Sequence, residues 1–397
     1  MTAFVRLRDS TRLSELWSQR RTRRLLLQAV FLALVALVVA YLVVQALDLK
    51  LNFGFLSGPA GFSLSHQWPS GLYEPSDTRL AAYGTGIVNT VRLAFLGILL
   101  ATLIGVAAGV ARLSSNWLVA RIAATYVEII RNTPVLIQIV FWYTAVMLTA
   151  LPEIGESWNF LDGLYISNRS VALPFMQADG AFGLWALVLL IGVIVAYWTQ
   201  GRIRRREEAT GRILHASTLS FVLFAAIGGV AFAATGFPLV SDIPEFSTTA
   251  IGISNVEGGL QITPEFTAIL LGLVFYTGAF IAEIVRGSIQ AMPKGQSEAA
   301  AAIGLSGYQR MTLVILPQAL RTMIPPLTNQ YLNLTKNSSL AIAIAYPELV
   351  FVGRTIINGV GHAVPVFLLI FATYLTLSLI ISVVMNVLNR RVQLVGH

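Results

Sequence analysis

Two acid–base pairs stand in apolar stretches: Glu128 with Arg131, and Glu283 with Arg286. In each pair the acid precedes the base by three residues, a spacing that puts both on one helical face. An ionisable group inside a membrane costs about 2.5–3.5 kcal/mol on insertion scales, so each one invites a function. Two readings fit each pair: a structural brace that neutralises itself, or a salt bridge that serves a gate. A second polar set follows Pro325-Pro326, where Thr328, Asn329, Asn333, Thr335, Lys336 and Asn337 gather. The prolines remove backbone donors and are expected to break a helix there. Carbonyls freed at membrane depth are tolerated where they are buried in protein or line a cavity. Asn329 and Asn333 offer donors and acceptors, and Lys336 a positive charge. These three, with Gln138 and Tyr276 facing them, are candidates to line a solute path. Interhelical hydrogen bonding is the competing reading.

No motif points to catalysis. There is no H-E-x-x-H, no G-x-S-x-G and no G-x-x-x-x-G-K-[ST] phosphate loop in the chain. Without cysteine there are no disulfides and no thiolate metal sites, and His66, His215, His362 and His397 are too scattered for a metal cluster. The elements that must position the polar groups are membrane spans. Of the 397 residues, 56% are hydrophobic and only 12% charged, with mean hydropathy +0.73. Soluble domains carry about a quarter charged residues. The formal net charge of +8 does not mark a nucleic-acid binder, because the basic residues cluster at the ends of apolar runs.

A spanning helix needs about 20 apolar residues. Such runs occur at roughly 25–47, 85–111, 118–149, 182–200, 213–235, 265–290, 314–340 and 365–389, which makes an all-α polytopic membrane protein of about eight spans. The third and seventh are longer and less uniformly apolar, so they are expected to be tilted or broken. The first is too long for a signal-peptide core and no clear cleavage site follows it, so it reads as a retained anchor.

Lys and Arg set the orientation. The basic N-terminus 1–24 carries Arg6, Arg8, Arg12, Arg20, Arg21, Arg23 and Arg24, segment 201–212 carries Arg202, Arg204, Arg205, Arg206 and Arg212, and the last span ends in Arg390 and Arg391 before the tail 392–397. Segment 236–264 has no Lys or Arg but has Asp242, Glu245 and Glu257, and segment 150–181 has Arg169 against Glu153, Glu156, Asp162 and Asp179. Eight spans with both termini inside put every basic cluster in the cytoplasm. Trp68, Tyr73, Trp158, Phe160, Phe237 and Phe246 sit near span ends in the long outer loops, where an interfacial aromatic belt accounts for them.

Between the sixth and seventh spans, within 293–313, lies Gln296-Ser-Glu-Ala-Ala-Ala-Ala-Ile-Gly-Leu-Ser-Gly307. Ser297 is placed to cap a short helix whose positive end Glu298 favours. Four alanines propagate it, and Gly304 or Gly307 ends it. So short a helix is poorly stable alone. It is either a plain loop helix or one that docks in a partner's groove.

This stretch resembles the EAA loop of importer permeases of the ATP-binding-cassette (ABC) superfamily: E-A-A, three residues, G, nine residues, then I-x-L-P. Here Glu298-Ala299-Ala300 and Gly304 are followed by Val314-Ile315-Leu316-Pro317, with Val314 the one departure. Tyr276 through Pro293, Pro317-Gln318-Ala319-Leu320-Arg321, Ile324 to Leu327, Lys336 to Leu340 and Glu128 to Pro134 look like segments of polar amino-acid permeases, with Asn132 in place of a glycine. The resemblance covers roughly 80–150 and 260–391. The added first span with its loop (25–84), and the pair 182–235 inserted in a permease domain of 85–391, are similar to the larger permeases of general L-amino-acid and glutamate/glutamine/aspartate/asparagine importers.

The resemblance implies a type I importer permease fold with extra helices, in a multi-pass subunit of the bacterial inner membrane. It also implies a machine of two permeases, two ATPases and a periplasmic amino-acid-binding protein, with ATP and Mg held by the ATPase and no cofactor on this chain. Family members pair as identical or different permeases, and a homologous, different chain is the partner expected here. Glu298, Ala299, Ala300, Gly304, Leu305 and Ser306 would form the coupling helix and its turn on the ATPase. A secondary transporter driven by an ion gradient is the alternative, and the EAA pattern argues against it.

Overall fold

The computed structural model describes residues 20–48, 51–65, 73–160, 163–178, 180–211, 215–237, 239–248 and 254–392. Most of the basic N-terminus, Arg212, Trp68, His66, Asp162, Asp179 and nearly all of the tail, including His397, lie outside them.

Helix α1 is Arg20–Asp48, with Leu27–Tyr41 as its apolar centre. Helix α2, Arg79–Ala111, starts earlier than its apolar run because Thr78 caps it, accepting from Ala81 N at 3.2 Å. The third span is two helices, α3 Trp117–Arg131 and α4 Val135–Phe141, and the latter continues through a π-helical stretch, Trp142–Ala150. They meet at 104°. Helices α5 Phe182–Thr210 and α6 Ala216–Ala234 form a hairpin, and α7 is Pro264–Gln290. The short α8, Lys294–Ala302, leads by Gly307–Gln309 and a π-helical Arg310–Ile315 into α9, Leu316–Asn337. A 3₁₀ stretch, Ser338–Ile344, and a 51° bend precede α10, Leu349–Val360, and α11, Ala363–Val392, closes the described chain. Five helices are long and apolar enough to span, and the two bent pairs raise this to seven. The apolar stretch of α1, Leu27–Tyr41, is shorter and stands outside that count among the described residues, against the eight spans expected.

The core is α2 against α7. In α2, Gly97, Ala101, Gly105 and Gly109 recur every four residues, a small-residue stripe that lets backbones approach. A Cβ on Gly105 would lie 2.5 Å from Ile281 Cβ and 2.8 Å from the Gly278 carbonyl, and one on Gly109 2.7 Å from the Ala282 carbonyl. Helix α7 is the central element: 61% of its most apolar window is buried, against 6% for α5. The α5–α6 hairpin packs chiefly on itself. Trp185 Nε1 donates to the Gly228 carbonyl at 3.1 Å, and the Trp185 and Phe232 rings meet edge-on. Its outer faces expose Leu187, Leu190, Ile194, Phe221 and Val222, as lipid demands.

The loops at one end of the bundle carry β-structure that the all-helical expectation did not contain. Strands β1 Trp158–Phe160, β2 Leu164–Ile166, β3 Val171–Leu173 and β8 Leu260–Ile262 form one antiparallel sheet. Strands β4 Phe175–Ala178 and β5 Leu239–Asp242 pair at the entry and exit of the α5–α6 hairpin, and β6 Glu245–Thr248 pairs β7 Ser254–Glu257. Three- and four-residue strands leave too little alternation to be read from sequence.

Tyr73 departs from the belt expectation. It is buried, its hydroxyl donates to the Phe62 carbonyl, and it packs in a cluster with Leu64, Tyr83, Leu349 and Val352. The loop before α2 therefore packs on α10, a helix absent from the expected spans. Trp158, Phe160, Phe237 and Phe246 are exposed, as an interfacial role requires.

Candidate functional site

The break between α3 and α4 follows from Asn132-Thr133-Pro134, because Pro134 brings no N–H and biases Thr133 away from helix. Side chains satisfy the freed carbonyls. Asn132 Nδ2 donates to Glu128 O at 2.8 Å, Thr133 Oγ1 to Ile129 O at 2.9 Å, and Gln138 Nε2 to Ile130 O at 2.9 Å and Thr133 O at 3.0 Å. Gln138 is buried within this knuckle, and only its Oε1 remains without a partner. Tyr276 is half-buried on α7, its ring 5.0 Å from that of Phe280.

Pro325 and Pro326 do not break α9, which runs through them from Leu316 to Asn337. The helix gives way later, at Ser338–Ile344, where Ala345 takes φ +58°. Thr322 Oγ1 bonds Ala319 O and Thr328 Oγ1 bonds Ile324 O, keeping both hydroxyls within the helix around the prolines. Thr322, Pro325, Asn329, Asn333 and Lys336 are all exposed. Their three- and four-residue spacing makes one face, while Met323, Leu327, Tyr331, Leu334 and Thr335 are buried on the other. The structure thus groups Asn329, Asn333 and Lys336 on a single open stripe. Gln138 is not in it, its amide nitrogen being committed to the α3–α4 knuckle.

Beyond the bend, the sequence reading missed a buried polar cluster. Glu348 is fully buried and caps α10, accepting from Val350 N and Phe351 N, both at 2.9 Å, and from the Tyr374 hydroxyl at 3.0 Å. Asn89 Nδ2 donates to Pro347 O at 2.9 Å, and Leu349 N donates to Thr90 Oγ1 at 3.1 Å. Polar groups of α2 thus hold the turn between α9 and α10. An acid just before an apolar run is a helix-start signal, and Glu348 before Leu349-Val-Phe-Val carried it.

The two acid–base pairs separate in the fold. Glu283 pairs with Arg286 and also receives Arg112, at the end of α2, while Arg131 approaches to 3.8 Å. Arg131 also lies over the Phe280 ring at 5.1 Å. Glu128 makes no ion pair with Arg131 among the described residues and is exposed. Arg131, the last residue of α3, reaches a carboxylate on α7 instead of the one a turn behind it. Arg112 is not among the residues that the sequence singles out. Arg286 also donates to Gln290 Oε1, which carries the network toward α8.

Helix α8 begins at Lys294, so Ser297 lies inside it and does not cap it; Ser297 Oγ accepts from Arg310 at 3.4 Å. Gly304 ends the helix at φ +84°, with Gly304 N on Ala301 O and Leu305 N on Ala300 O. Ser306 and Gln309 then form a capping box for the next turn. Ala300 is buried, Leu305 is half-buried, and Glu298, Ala299, Gly304 and Ser306 are exposed. Ile303 at 77% and Tyr308 at 79% exposure add an apolar edge. The short α8 is thus packed on one side, through Ala300, and bare on the other.

The spanning helices, two of them bent pairs, the polar face of α9 and the exposed loop helix α8 make this a polytopic membrane protein. Residues 213–394 match the family described as binding-protein-dependent transport system inner membrane component. The general L-amino acid transport system permease protein AapQ of Rhizobium johnstonii is 43% identical over 348 residues, 87% of this chain and 84% of that relative. The putative amino-acid ABC transporter permease protein YhdX of Escherichia coli is 38% identical over 346 residues, 87% and 86% of the two chains. The glutamate/glutamine/aspartate/asparagine transport system permease protein BztB of Rhodobacter capsulatus is 38% identical over 387 residues, 89% and 88% of the two. The chain belongs to this family: it is a multi-pass inner-membrane permease of the ABC importer type.

Proposed function

We propose that this chain is one permease subunit of an ATP-driven importer that carries L-amino acids, polar, acidic or of broad range, from periplasm to cytoplasm. Both termini and α8 lie in the cytoplasm, and the β-structured loops face the periplasm, where a binding protein delivers substrate. The partners are a second, homologous permease and two ATPase subunits, which hold ATP and Mg; this chain holds no cofactor. The observation that carries the reading is α8, with Ala300 packed inward and Glu298, Ala299 and Ile303 bare at the end of the bundle. Reversing a gate from 1:99 to 99:1 takes about 5.5 kcal/mol of differential interaction, which docking of α8 on an ATPase would transmit.

The α9 stripe supplies the path. Asn, Thr and Lys side chains facing lipid would be costly, so the stripe faces water or a second permease. Lys336 would meet a substrate carboxylate, and Asn329 and Asn333 its ammonium and backbone-like groups. Tyr276 would border the path on α7, and Gln138 would serve it by holding the α3–α4 knuckle. The Glu283 network would brace α2, α3 and α7 above α8, or open with the gate.

The test is to tag the C-terminus, purify the chain from its native membranes in mild detergent and identify the accompanying chains by mass spectrometry. An ATPase and a second permease are expected, and in Glu298→Arg the ATPase should be lost or uncoupled from uptake. Recovery of the chain alone under conditions that preserve known assemblies, with uptake driven by an ion gradient, would replace this reading by a secondary transporter.

A further inference from the structure

The α5–α6 hairpin carries an open cleft of ≈ 390 Å³ at its Arg-rich end, lined by Trp198, Arg202, Ile203 and Arg206 of α5 and Leu219 and Leu223 of α6. Arg202 and Arg206 are one turn apart and both exposed. Arg202 Cζ lies 3.6 Å above the Trp198 ring centroid, so its guanidinium is laid flat against the helix. Neither arginine has a carboxylate partner among the described residues. The nearby acids are otherwise placed: Glu207 Oε1 accepts from Ala216 N, at the start of α6, and Glu208 is exposed outside the cleft. The cleft sits where the apolar stretch of α5 gives way to Arg202-Ile-Arg-Arg-Arg206, the depth of lipid headgroups.

We infer that this cleft binds the phosphate of an anionic phospholipid. Two guanidiniums on one face match a phosphodiester, and arginine makes such contacts in forked pairs. Leucine and isoleucine walls beneath them suit the first methylenes of acyl chains, which a free phosphate would leave uncovered. A bound lipid would tie the hairpin, which packs chiefly on itself, to the bilayer around it. The inference goes beyond the importer reading and needs only that the hairpin is in the membrane.

The full-length chain, with whatever subunits accompany it, is to be reconstituted in nanodiscs of phosphatidylcholine with cardiolipin and phosphatidylglycerol, then released for native mass spectrometry. Wild type is compared with Arg202→Gln/Arg206→Gln and with Arg204→Gln/Arg205→Gln, which removes the same charge from positions outside the cleft. The expected result is anionic lipid retained by wild type and by the second variant, and reduced about tenfold or more in the first. Equal retention in all three, or equal loss in both variants, would overturn the site. Displacement of the lipid by inorganic phosphate alone would overturn the lipid assignment in favour of a simple anion hole.

Discussion

Arg112, just past the end of α2, pairs with Glu283 of α7 across 171 residues of sequence, and through that carboxylate three arginines share one negative charge. Removing the carboxylate leaves Arg112, whose side chain is only 15% exposed, beside Arg286 and Arg131 with nothing between them. Glu283→Gln should therefore destabilise the folded chain by about 1–3 kcal/mol, between the surface and buried limits for ion pairs. Glu128→Gln, at an exposed position, should stay within about 0.5 kcal/mol. Thermal melting of both variants in the same detergent decides it; equal effects would show that the network does not centre on Glu283.

Gly105 marks a close approach of α2 to α7. A methyl group there would press on Ile281 and on the Gly278 carbonyl, and a carbonyl does not move without its helix. Gly105→Ala should cost about 1–3 kcal/mol by overpacking and lower the yield of folded chain. Gly229→Ala, where a Cβ would meet nothing within 4 Å, should be neutral or slightly stabilising in its helix. The melting temperatures of this matched pair separate helix contact from helix propensity.

Glu348→Ala should unseat α10. It removes a cap from two backbone N–H groups and a partner from the Tyr374 hydroxyl, all in a buried place. A lost cap alone costs about 0.5–2 kcal/mol, while the Tyr374 hydroxyl keeps Ser338 Oγ at 3.3 Å as a second partner. Hydrogen exchange should show Leu349–Val360 opening before α2 and α7 do. Protection of α10 equal to wild type would mean that the packing of Tyr73 and Val352 holds it without the cap.

Lys336→Met should leave the melting temperature nearly unchanged, because Lys336 is exposed, and should reduce amino-acid uptake in the assembled importer. A single lost charge contact to a substrate carboxylate corresponds to about 1.5–3 kcal/mol, roughly ten- to a hundredfold. Asn333→Ala should act in the same direction and less strongly. Uptake at the wild-type rate in Lys336→Met would take that residue off the path.

Much of this molecule is legible locally. Apolar runs of spanning length reflect a property of consecutive residues, the cost of exposing backbone and charge to lipid, so most helices follow from composition alone. The end of α8 at Gly304 is legible for the same reason: a left-handed residue after an alanine run is a local demand that glycine meets. Asn329, Asn333 and Lys336 share a face simply because helical period puts them there.

What stayed hidden depends on which chain segments meet. Glu283 has a close base in Arg286, but its strong second partner, Arg112, comes from the far end of another helix. Arg131 has an equally close acid in Glu128 and yet turns to Glu283. Pro325-Pro326 reads as a break, yet α9 continues, because the burial of Met323, Leu327 and Tyr331 against the bundle outweighs the lost backbone bonds. The real bend falls at Ala345, where Asn89 and Thr90 of α2 receive the turn. Local pattern records the solvent each residue requires, water or lipid. The choice among competing partners is made by packing, when α2 and α7 close on their small residues and bring distant charges within reach.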